Sequence, residues 1–213
     1  PYLPNDELIR PLDRPHSTLG GLAILRGNLA PDTGVSKPAA IHPDVRRFTG
    51  KAICFDSEDA CVEAIEARRV HPGHVVVIRY EGPRGGPGMK ELYKPMKTLY
   101  GQGLARSTAV ITDGRFSGTN NGCFVGHISP EAAAGGPLAL VEDGDEITID
   151  VEQKTLELHV SEEEMARRRA AWRYQPPRLI GYLARYAAMV SSADRGGILI
   201  PGETGGMEHE TAE

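Results

Sequence analysis

Cysteine is scarce in this chain, and its pattern excludes several kinds of site. Only Cys54, Cys61 and Cys123 occur among the 213 residues. An odd number at these spacings matches neither a zinc-binding pattern nor a disulfide framework. Cys54 falls in an apolar strand-like run and Cys61 on an apolar helical face, so both are interpreted as small core residues. Nothing near Cys123 marks it as activated. The expected compartment is a reducing one, by default the cytoplasm.

Excess positive charge, long apolar runs and a leader sequence are also missing. The 24 Lys and Arg residues against 29 Asp and Glu residues give a formal net charge of -5, which offers no basic surface for nucleic acid. No apolar run approaches the roughly 20 residues of a membrane-spanning helix. The opening "PYLPNDELIRPLDRP" has no methionine, no basic start and no apolar segment of a signal peptide.

The same opening predicts how the chain is organised. We expect residues 1–15, which contain four prolines, to be a linker arm from a missing amino-terminal domain. Residues 16–200 are long enough for one domain with a sizeable core. Residues 201–213, "PGETGGMEHETAE", are expected to be a disordered tail.

Glycine and proline are abundant, and the apolar runs between them predict a mixed fold. The 25 glycines and 16 prolines cluster in "EGPRGGPG", "TDGRFSG" and "EAAAGGP", a pattern typical of tight turns. The predicted strands cover residues 20–31, 51–57, 73–82, 107–114 and several stretches of 137–160. Two predicted helices begin after Ser57 and Ser161, which we expect to act as their N-caps. The others cover 89–104, with a break at Pro95, and 181–193. Hairpins together with strand–helix–strand units predict an α/β fold with a barrel-like mixed sheet flanked by helices.

The first candidate site is "RYEGPRGGPGM", residues 79–89. Glu81 ends an apolar strand, where a carboxylate is costly unless it is paired, hydrogen-bonded or bound to a metal. The glycines that follow could expose backbone N–H groups to an anion. The alternative is a wide glycine loop in which Glu81 pairs with Arg79 or Arg84, and the residues alone leave both open.

The second candidate is "TDGRFSG", residues 112–118, which follows another buried strand. Asp113 and Arg115 can pair and fix the turn. Ser117 has a small neighbour that leaves its hydroxyl accessible. A serine hydroxyl is a poor base or nucleophile without an activating partner, and a turn-capping serine is the alternative interpretation.

The third candidate is "GCFVGHISPEAAAGGP", residues 122–137. His127 could act in acid–base chemistry, although its apolar neighbours favour a core histidine. Ser129, Pro130 and Glu131 have the order of a helix start, with a capping serine, a proline and an acid. We therefore favour a structural role for this segment.

Taken together, four segments give the chain a specific resemblance. "GGLAILRGNLAPDTGVSKPAA", "GHVVVIRYEGPRGGPGMKEL", "TDGRFSG" and "VGHISPEAAAGGPLALVEDGDEITID" resemble, in order and spacing, dihydroxy-acid dehydratases and the related phosphogluconate and sugar-acid dehydratases. The resemblance covers about residues 16–198 and corresponds to the carboxy-terminal domain of those enzymes. It implies a swivelling β/α domain similar to the mobile domain of aconitase.

The resemblance also implies a reaction and its cofactors. These dehydratases remove water from a 2,3-dihydroxy acid to give a 2-keto acid, using an iron–sulfur cluster and Mg²⁺. Glu81 matches the magnesium-binding glutamate, Ser117 matches the catalytic base, and Thr119 matches a position near the substrate. A serine can serve as base if a divalent cation lowers its pKa, which requires neighbouring strands to bring Glu81 and Ser117 together. Asp113 and Arg115 would then fix the turn.

The resemblance covers only the carboxy-terminal domain of the family enzyme, and this determines what we expect of the chain's activity and partners. The resemblance implies that the cluster cysteines and the other magnesium ligands lie in the missing amino-terminal domain, so we expect the isolated chain to be inactive. The expected partners are that domain, a small dihydroxy-acid substrate and a second copy in a homodimer, with apolar surface exposed in their absence. Branched-chain amino-acid biosynthesis is the first choice of pathway. The forms "ELYKPMKTLYGQGL" and "TNNGCF" leave a sugar-acid dehydratase open, and a non-catalytic anion-binding module is the alternative from another class.

Overall fold

Eight strands close into a mixed β-barrel in the part of the chain that the structure describes, and four α-helices accompany it. The structure is a computed structural model that describes residues 5, 7–17, 20–116 and 121–200. The strands are β1 (Ala23–Gly27), β2 (Ala30–Ser36), β3 (Arg47–Phe55), β4 (His74–Ile78), β5 (Ala109–Thr112), β6 (Cys123–Ser129), β7 (Glu146–Asp150) and β8 (Thr155–Leu158). The helices are α1 (Glu58–Glu66), α2 (Tyr93–Gly101), α3 (Glu162–Ala171) and α4 (Gly181–Met189).

The strand order around the barrel is β1–β2–β6–β5–β4–β3–β7–β8, and β8 pairs with β1 to close it. Strands β3, β4, β5 and β6 are parallel neighbours, whereas the hairpin pairs β1–β2 and β7–β8 are antiparallel. Parallel neighbours need a crossover connection, and α1 and α2 lie in two of these crossovers. The predicted barrel-like mixed sheet flanked by helices is confirmed.

Two apolar cores explain why strand β4 has no polar face. Val75 and Val77 belong to the core inside the barrel, whereas Val76 and Ile78 belong to the core shared with α1 and α2. All four side chains are completely buried. A strand that is covered on both faces is apolar throughout, and this is why its sequence is a continuous run.

The start of α1 agrees with the sequence, but the course of α2 does not. The Ser57 hydroxyl accepts a hydrogen bond from the Ala60 N–H at 3.2 Å, as an N-cap. Helix α2 continues through Pro95, so the predicted break is wrong. Pro95 lies in the first turn of the helix, where a backbone N–H has no partner within the helix and its absence costs little.

Arg168 attaches α3 to the barrel through a nearly buried ion pair. Its Nη1 donates to Asp145 Oδ2 at 2.6 Å and its Nη2 to Asp145 Oδ1 at 3.1 Å. Its Nε donates to Glu164 Oε1 at 2.8 Å. The side chains of Arg168 and Asp145 are only 9% and 10% exposed. The predicted cap of α3 is confirmed, because the Ser161 hydroxyl accepts from the Glu164 N–H.

Replacing Arg168 with alanine is expected to lower the free energy of unfolding by about 3 kcal/mol, because Asp145 is left as a nearly buried, unpaired charge. Urea unfolding followed by circular dichroism measures this. Arg167→Ala on the same helix is the matched control, since Arg167 pairs with Glu164 at the surface and its side chain is 68% exposed. Equal midpoints for the two variants would contradict the prediction.

The helices of the described residues are short. The longest, α3, has ten residues, whereas a bilayer requires roughly 20. No described helix is both long and apolar enough to span a membrane.

Candidate functional site

The segments that follow β4 and β5 leave the barrel at the same end. These strands are parallel neighbours, and Ile78 lies opposite Thr112. Residues 79–81 and 113–116 therefore begin side by side, because parallel neighbours end at the same edge of a sheet. The hypothesis that the two strands are neighbours is confirmed.

Glu81 lies three residues beyond the last residue of β4 and is 6% exposed. Its Oε1 accepts a hydrogen bond from the Glu58 N–H at 2.6 Å and lies 3.6 Å from Lys90 Nζ. Lys90 Nζ is also 3.1 Å from Glu58 Oε2. Partial burial opposes the charged form of Lys90, but the hydrogen bond to Glu58 and the charge of Glu81 raise its pKa overall. The cation beside Glu81 is thus Lys90, which no motif in the sequence points to.

The alternative in which Glu81 pairs with Arg79 or Arg84 does not agree with the structure. Arg79 Nη2 lies 2.6 Å from Asp56 Oδ1, and its Nη1 donates to the carbonyls of residues 139 and 141. Arg84 Nε donates to the Val190 carbonyl at 3.4 Å. Both guanidinium groups therefore have partners elsewhere.

Glu81 faces an open cavity of about 620 Å³. Lys90 and Arg173 also line it, so the cavity contains charges of both signs. A cleft of this size is typical of a small-molecule site. Glu81 therefore borders the cavity, although its side chain is only 8% exposed.

An aromatic stack forms another part of the cavity wall. The rings of Tyr80 and Tyr174 lie 4.9 Å apart with their planes 6° from parallel. Trp172 Nε1 donates to the Tyr80 hydroxyl at 3.3 Å. This contact was not predictable from the sequence, because no local pattern joins Tyr80 to a segment that follows α3.

The glycine loop after Glu81 folds back on Glu81 itself. A Cβ atom at Gly86 would lie 2.7 Å from Glu81 Cα. Any side chain would therefore clash with the Glu81 backbone, so this position requires glycine. The Gly86 N–H donates to the Gly82 carbonyl at 2.9 Å, so it is already used within the loop. Close packing against protein therefore explains Gly86 without an anion.

Asp113 does not pair with Arg115 as the sequence suggested. Its Oδ1 accepts from the Glu81 N–H at 3.0 Å, and its Oδ2 accepts from the Tyr80 and Ala132 N–H groups at 3.1 and 3.0 Å. Burial raises the pKa of Asp113 to about 7, although these three backbone hydrogen bonds act to lower it. Arg115 Nε instead donates to the Met89 carbonyl at 2.7 Å.

Ser117 and Thr119 lie outside the described residues. The structure follows the turn as far as Phe116, whose ring meets that of Phe124 edge-on at 5.5 Å. In the same turn, the Gly114 carbonyl accepts a hydrogen bond from the His127 N–H of β6 at 2.8 Å. The turn that leads to Ser117 is therefore held between Glu81 and strand β6.

The segment after β6 differs from the predicted helix start. Ser129 is the last residue of β6, and only a 3-10 turn, Ala132–Ala134, follows. The Glu131 carboxylate is fully buried and accepts from the Ser192 hydroxyl and the Ala193 N–H, each at 2.8 Å. Glu131 therefore holds the segment after α4, which ends at Met189 and not at the predicted 193.

His127 lies in the same strand and is half-buried, as a core histidine would be. Burial lowers the pKa of its imidazole, and the nearby charges of Arg115 and Lys37 act in the same direction.

Glu81 has the ligand chemistry that a magnesium ion requires, but it is a single ligand. Mg²⁺ prefers hard oxygen ligands such as a carboxylate that faces an open cavity. Within the described residues, no three His, Cys, Asp or Glu side chains are placed to hold a metal ion. A magnesium site that includes Glu81 therefore needs ligands from outside these residues.

The three thiols do not fit an iron–sulfur cluster, which is bound by thiolates. Burial raises the pKa of Cys54, Cys61 and Cys123 to about 12 in each case. Cys61 and Cys123 are fully buried in two different apolar cores. The interpretation of Cys61 as a core residue is confirmed, and Cys54 packs at the margin of the barrel core.

One comparison with known proteins bears on the site. The sequence model of a family described as dihydroxy-acid/6-phosphogluconate dehydratase C-terminal matches residues 7–197. The match covers both turns at the end of the barrel and the segment that carries the aromatic stack. It also covers residues 117–120, which the structure leaves undescribed.

Proposed function

The chain belongs to the dihydroxy-acid/6-phosphogluconate dehydratase C-terminal family, and from this premise we propose that it is the carboxy-terminal domain of a hydro-lyase that converts 2,3-dihydroxy acids to 2-keto acids. One observation carries the proposal further than family membership. Glu81 faces the cavity from the end of β4, directly beside the turn that leads from the neighbouring strand to Ser117. A metal-binding carboxylate and a base are required together by this reaction.

In the proposed mechanism, this chain supplies the base and one metal ligand. Ser117, deprotonated, takes the proton from C2 of the substrate, and the 3-hydroxyl departs with its bonding electrons. The proton held by Ser117 then passes to the departing hydroxide, which leaves as water and restores the deprotonated serine. The resulting enol tautomerises to the 2-keto acid, so no external oxidant or reductant is consumed. Thr119 is proposed to lie near the substrate, and Glu81 to hold the cation.

The proposed cofactors are Mg²⁺ and an iron–sulfur cluster. When bound, they would lower the pKa of the serine hydroxyl, neutralise the substrate carboxylate and act as a Lewis acid on the leaving hydroxyl. Glu81 suits the magnesium ion by ligand type, whereas the thiols of this chain do not suit the cluster. The cluster ligands and the remaining magnesium ligands are therefore assigned to a separate amino-terminal domain.

The proposed partners are that amino-terminal domain and a second copy of the enzyme in a homodimer. Large apolar side chains are exposed just before α4, on it and after it, which supports burial against another domain or subunit. They are Ile180, Tyr182, Leu183, Ile198, Leu199 and Ile200. The proposed location is the cytoplasm, and the three cysteines are free thiols, which is compatible with a reducing compartment.

A branched-chain dihydroxy-acid dehydratase is the first candidate function, and there are two alternatives to it. The sequence of α2 and the residues around 119–124 favour a sugar-acid dehydratase as the second candidate. A non-catalytic anion-binding module is less well supported, because the Gly86 N–H is already bonded within its own loop.

The proposal is tested with the complete enzyme, in which this chain is joined to the amino-terminal domain. Formation of 2-keto acid is measured with 2,3-dihydroxy-3-methylbutanoate and with aldonic acids, and iron content is measured in parallel. We expect turnover and bound iron in the complete enzyme and neither in the isolated chain. Preference for an aldonic acid would select the sugar-acid function.

Two results would overturn the proposal. Absence of turnover with every substrate by an iron-loaded complete enzyme would contradict the dehydratase function. Turnover by the isolated chain would contradict the assignment of cluster ligands to another domain. Anion binding by the isolated chain that is unaffected by Ser117→Ala would favour the binding module.

A further inference from the structure

Asp113 is a fully buried carboxylate whose hydrogen-bond partners lie on two other loops. Its two oxygens accept the N–H groups of Tyr80 and Glu81 after β4 and of Ala132 after β6. A buried carboxylate is costly unless its oxygens are satisfied. All three of these hydrogen bonds come from main-chain N–H groups, so the carboxylate fixes backbone and not another side chain.

The backbone that Asp113 holds is in a conformation that a tyrosine rarely adopts. Tyr80 has φ of 63°, in the left-handed region, which costs a non-glycine residue free energy unless its surroundings enforce it. A left-handed residue of this kind lets successive N–H groups converge on one anion. The N–H groups of Tyr80 and Glu81 converge in this way on the Asp113 carboxylate.

We propose that Asp113 is the positioning residue for Glu81: its carboxylate enforces the left-handed turn at Tyr80 and so directs the Glu81 side chain into the cavity. This inference rests on the proposed role of Glu81. The carboxylate acts through the Glu81 backbone and has no contact with the reacting atoms.

Close packing makes the two loops a single unit. A Cβ atom at Gly82 would lie 2.9 Å from the Asp113 carbonyl oxygen, and one at Gly114 would lie 3.0 Å from Glu81 Cβ. Neither loop can therefore shift past the other without loss of these contacts. The turn that leads to Ser117 and the loop that carries Glu81 keep a fixed relation as long as Asp113 holds its partners.

The competing explanation is that Asp113 contributes only stability. Asp150 provides a matched control, because it is 9% exposed and its Oδ1 accepts the N–H groups of Glu152 and Gln153. It is the last residue of β7 and pairs with Arg47 at the start of β3, so it lies at the opposite end of the barrel from Glu81. Asp150→Asn removes a buried carboxylate charge without touching the cavity, and its amide oxygen can still accept both N–H groups.

The test compares Asp113→Asn with Asp150→Asn. Asparagine keeps the shape of aspartate but places an NH₂ group against at least one backbone N–H. In Asp113→Asn, amide hydrogen exchange at Tyr80 and Glu81 is expected to accelerate about 10- to 100-fold, the effect of losing a hydrogen bond to a charged acceptor. In the complete enzyme, the Mg²⁺ concentration for half-maximal activity is expected to rise by about 10- to 100-fold.

Asp150→Asn is expected to change neither the amide exchange at Tyr80 and Glu81 nor the Mg²⁺ requirement, whatever its effect on the thermal midpoint. If both variants change only the thermal midpoint, Asp113 is merely structural and the inference is overturned. If Asp113→Asn does not fold, the wild-type chain decides. The amides of Tyr80, Glu81 and Ala132 share one acceptor and are expected to exchange at correlated rates when the chain is mildly destabilised, whereas unrelated rates would overturn the inference.

The exchange measurement needs neither metal nor substrate. If the complete enzyme shows no dependence on Mg²⁺, the proposed role of Glu81 fails. Exchange at Tyr80 and Glu81 then still decides whether Asp113 fixes their backbone, so the two failures are distinguishable.

Discussion

Replacing Ser117 with alanine is expected to lower kcat of the complete enzyme about 10²- to 10⁴-fold, the usual contribution of a positioned general base. Alanine removes the only oxygen that the proposed mechanism uses to take the proton from C2. Substrate binding is expected to change little, since the proposed metal ligands remain. The effect should therefore be seen in kcat more than in KM, measured from initial rates of 2-keto acid formation.

Ser107→Ala is the control for this variant. Ser107 precedes β5, whereas Ser117 follows it, and the Ser107 hydroxyl donates to the Leu104 carbonyl in its own turn. The control is expected to retain wild-type kcat, and circular dichroism melts of both variants test their folding. A Ser117→Ala enzyme that is folded and turns over within a few-fold of wild type would contradict the assignment of the base.

Replacing Glu81 with glutamine is expected to reduce kcat/KM at limiting Mg²⁺ by more than about 100-fold. Loss of a partner one step beyond the metal costs about 10- to 100-fold, so loss of a direct ligand should exceed it. Glutamine can still accept the Glu58 N–H, which preserves the local hydrogen bond while removing the charge. Excess Mg²⁺ should partly restore the activity, and a magnesium titration of the rate measures this.

Glu58→Gln is a close control for the Glu81 variant. The two side chains are equally exposed, at 8%, and both contact Lys90. Only Glu81 faces the cavity, so the Glu58 variant should require no more Mg²⁺ than the wild-type enzyme. Equal magnesium requirements in the two variants would contradict a direct role for Glu81.

Lys90 adds a reason to measure the magnesium dependence carefully. Its ammonium group lies 3.6 Å from Glu81 Oε1. A divalent ion at Glu81 would meet the repulsion of this ammonium group at short range. The apparent affinity for Mg²⁺ is therefore expected to reflect displacement of Lys90 as well as binding.

The sequence predicted well those features that depend on a few neighbouring residues. Ser57 and Ser161 were identified as helix caps because a cap requires only a hydroxyl and an N–H three residues later. Strand β4 was identified because a strand buried on both faces has no polar alternation. Pro95 shows the limit of such rules, since its effect depends on where the helix begins.

The contacts of the candidate site were less accessible to sequence reasoning. Arg79, Arg84 and Arg115 are near Glu81 or Asp113 in sequence, yet none of them pairs with these carboxylates. The partners are instead Lys90, the Glu58 N–H and the backbone of the neighbouring loops. Proximity in sequence says little about a side chain's partner once the chain turns at a strand end.

The sequence by itself determined the family, the mixed α/β character and the identity of Glu81, Ser117 and Thr119 as candidates. Only the tertiary structure decided that β4 and β5 are neighbours, that the barrel closes between β1 and β8, and that Asp113 holds the backbone of Glu81. The physical reason is one of range. Caps and apolar runs act over a few residues, whereas the hydrogen bonds of a buried carboxylate depend on which distant segments the packed barrel brings within about 3 Å.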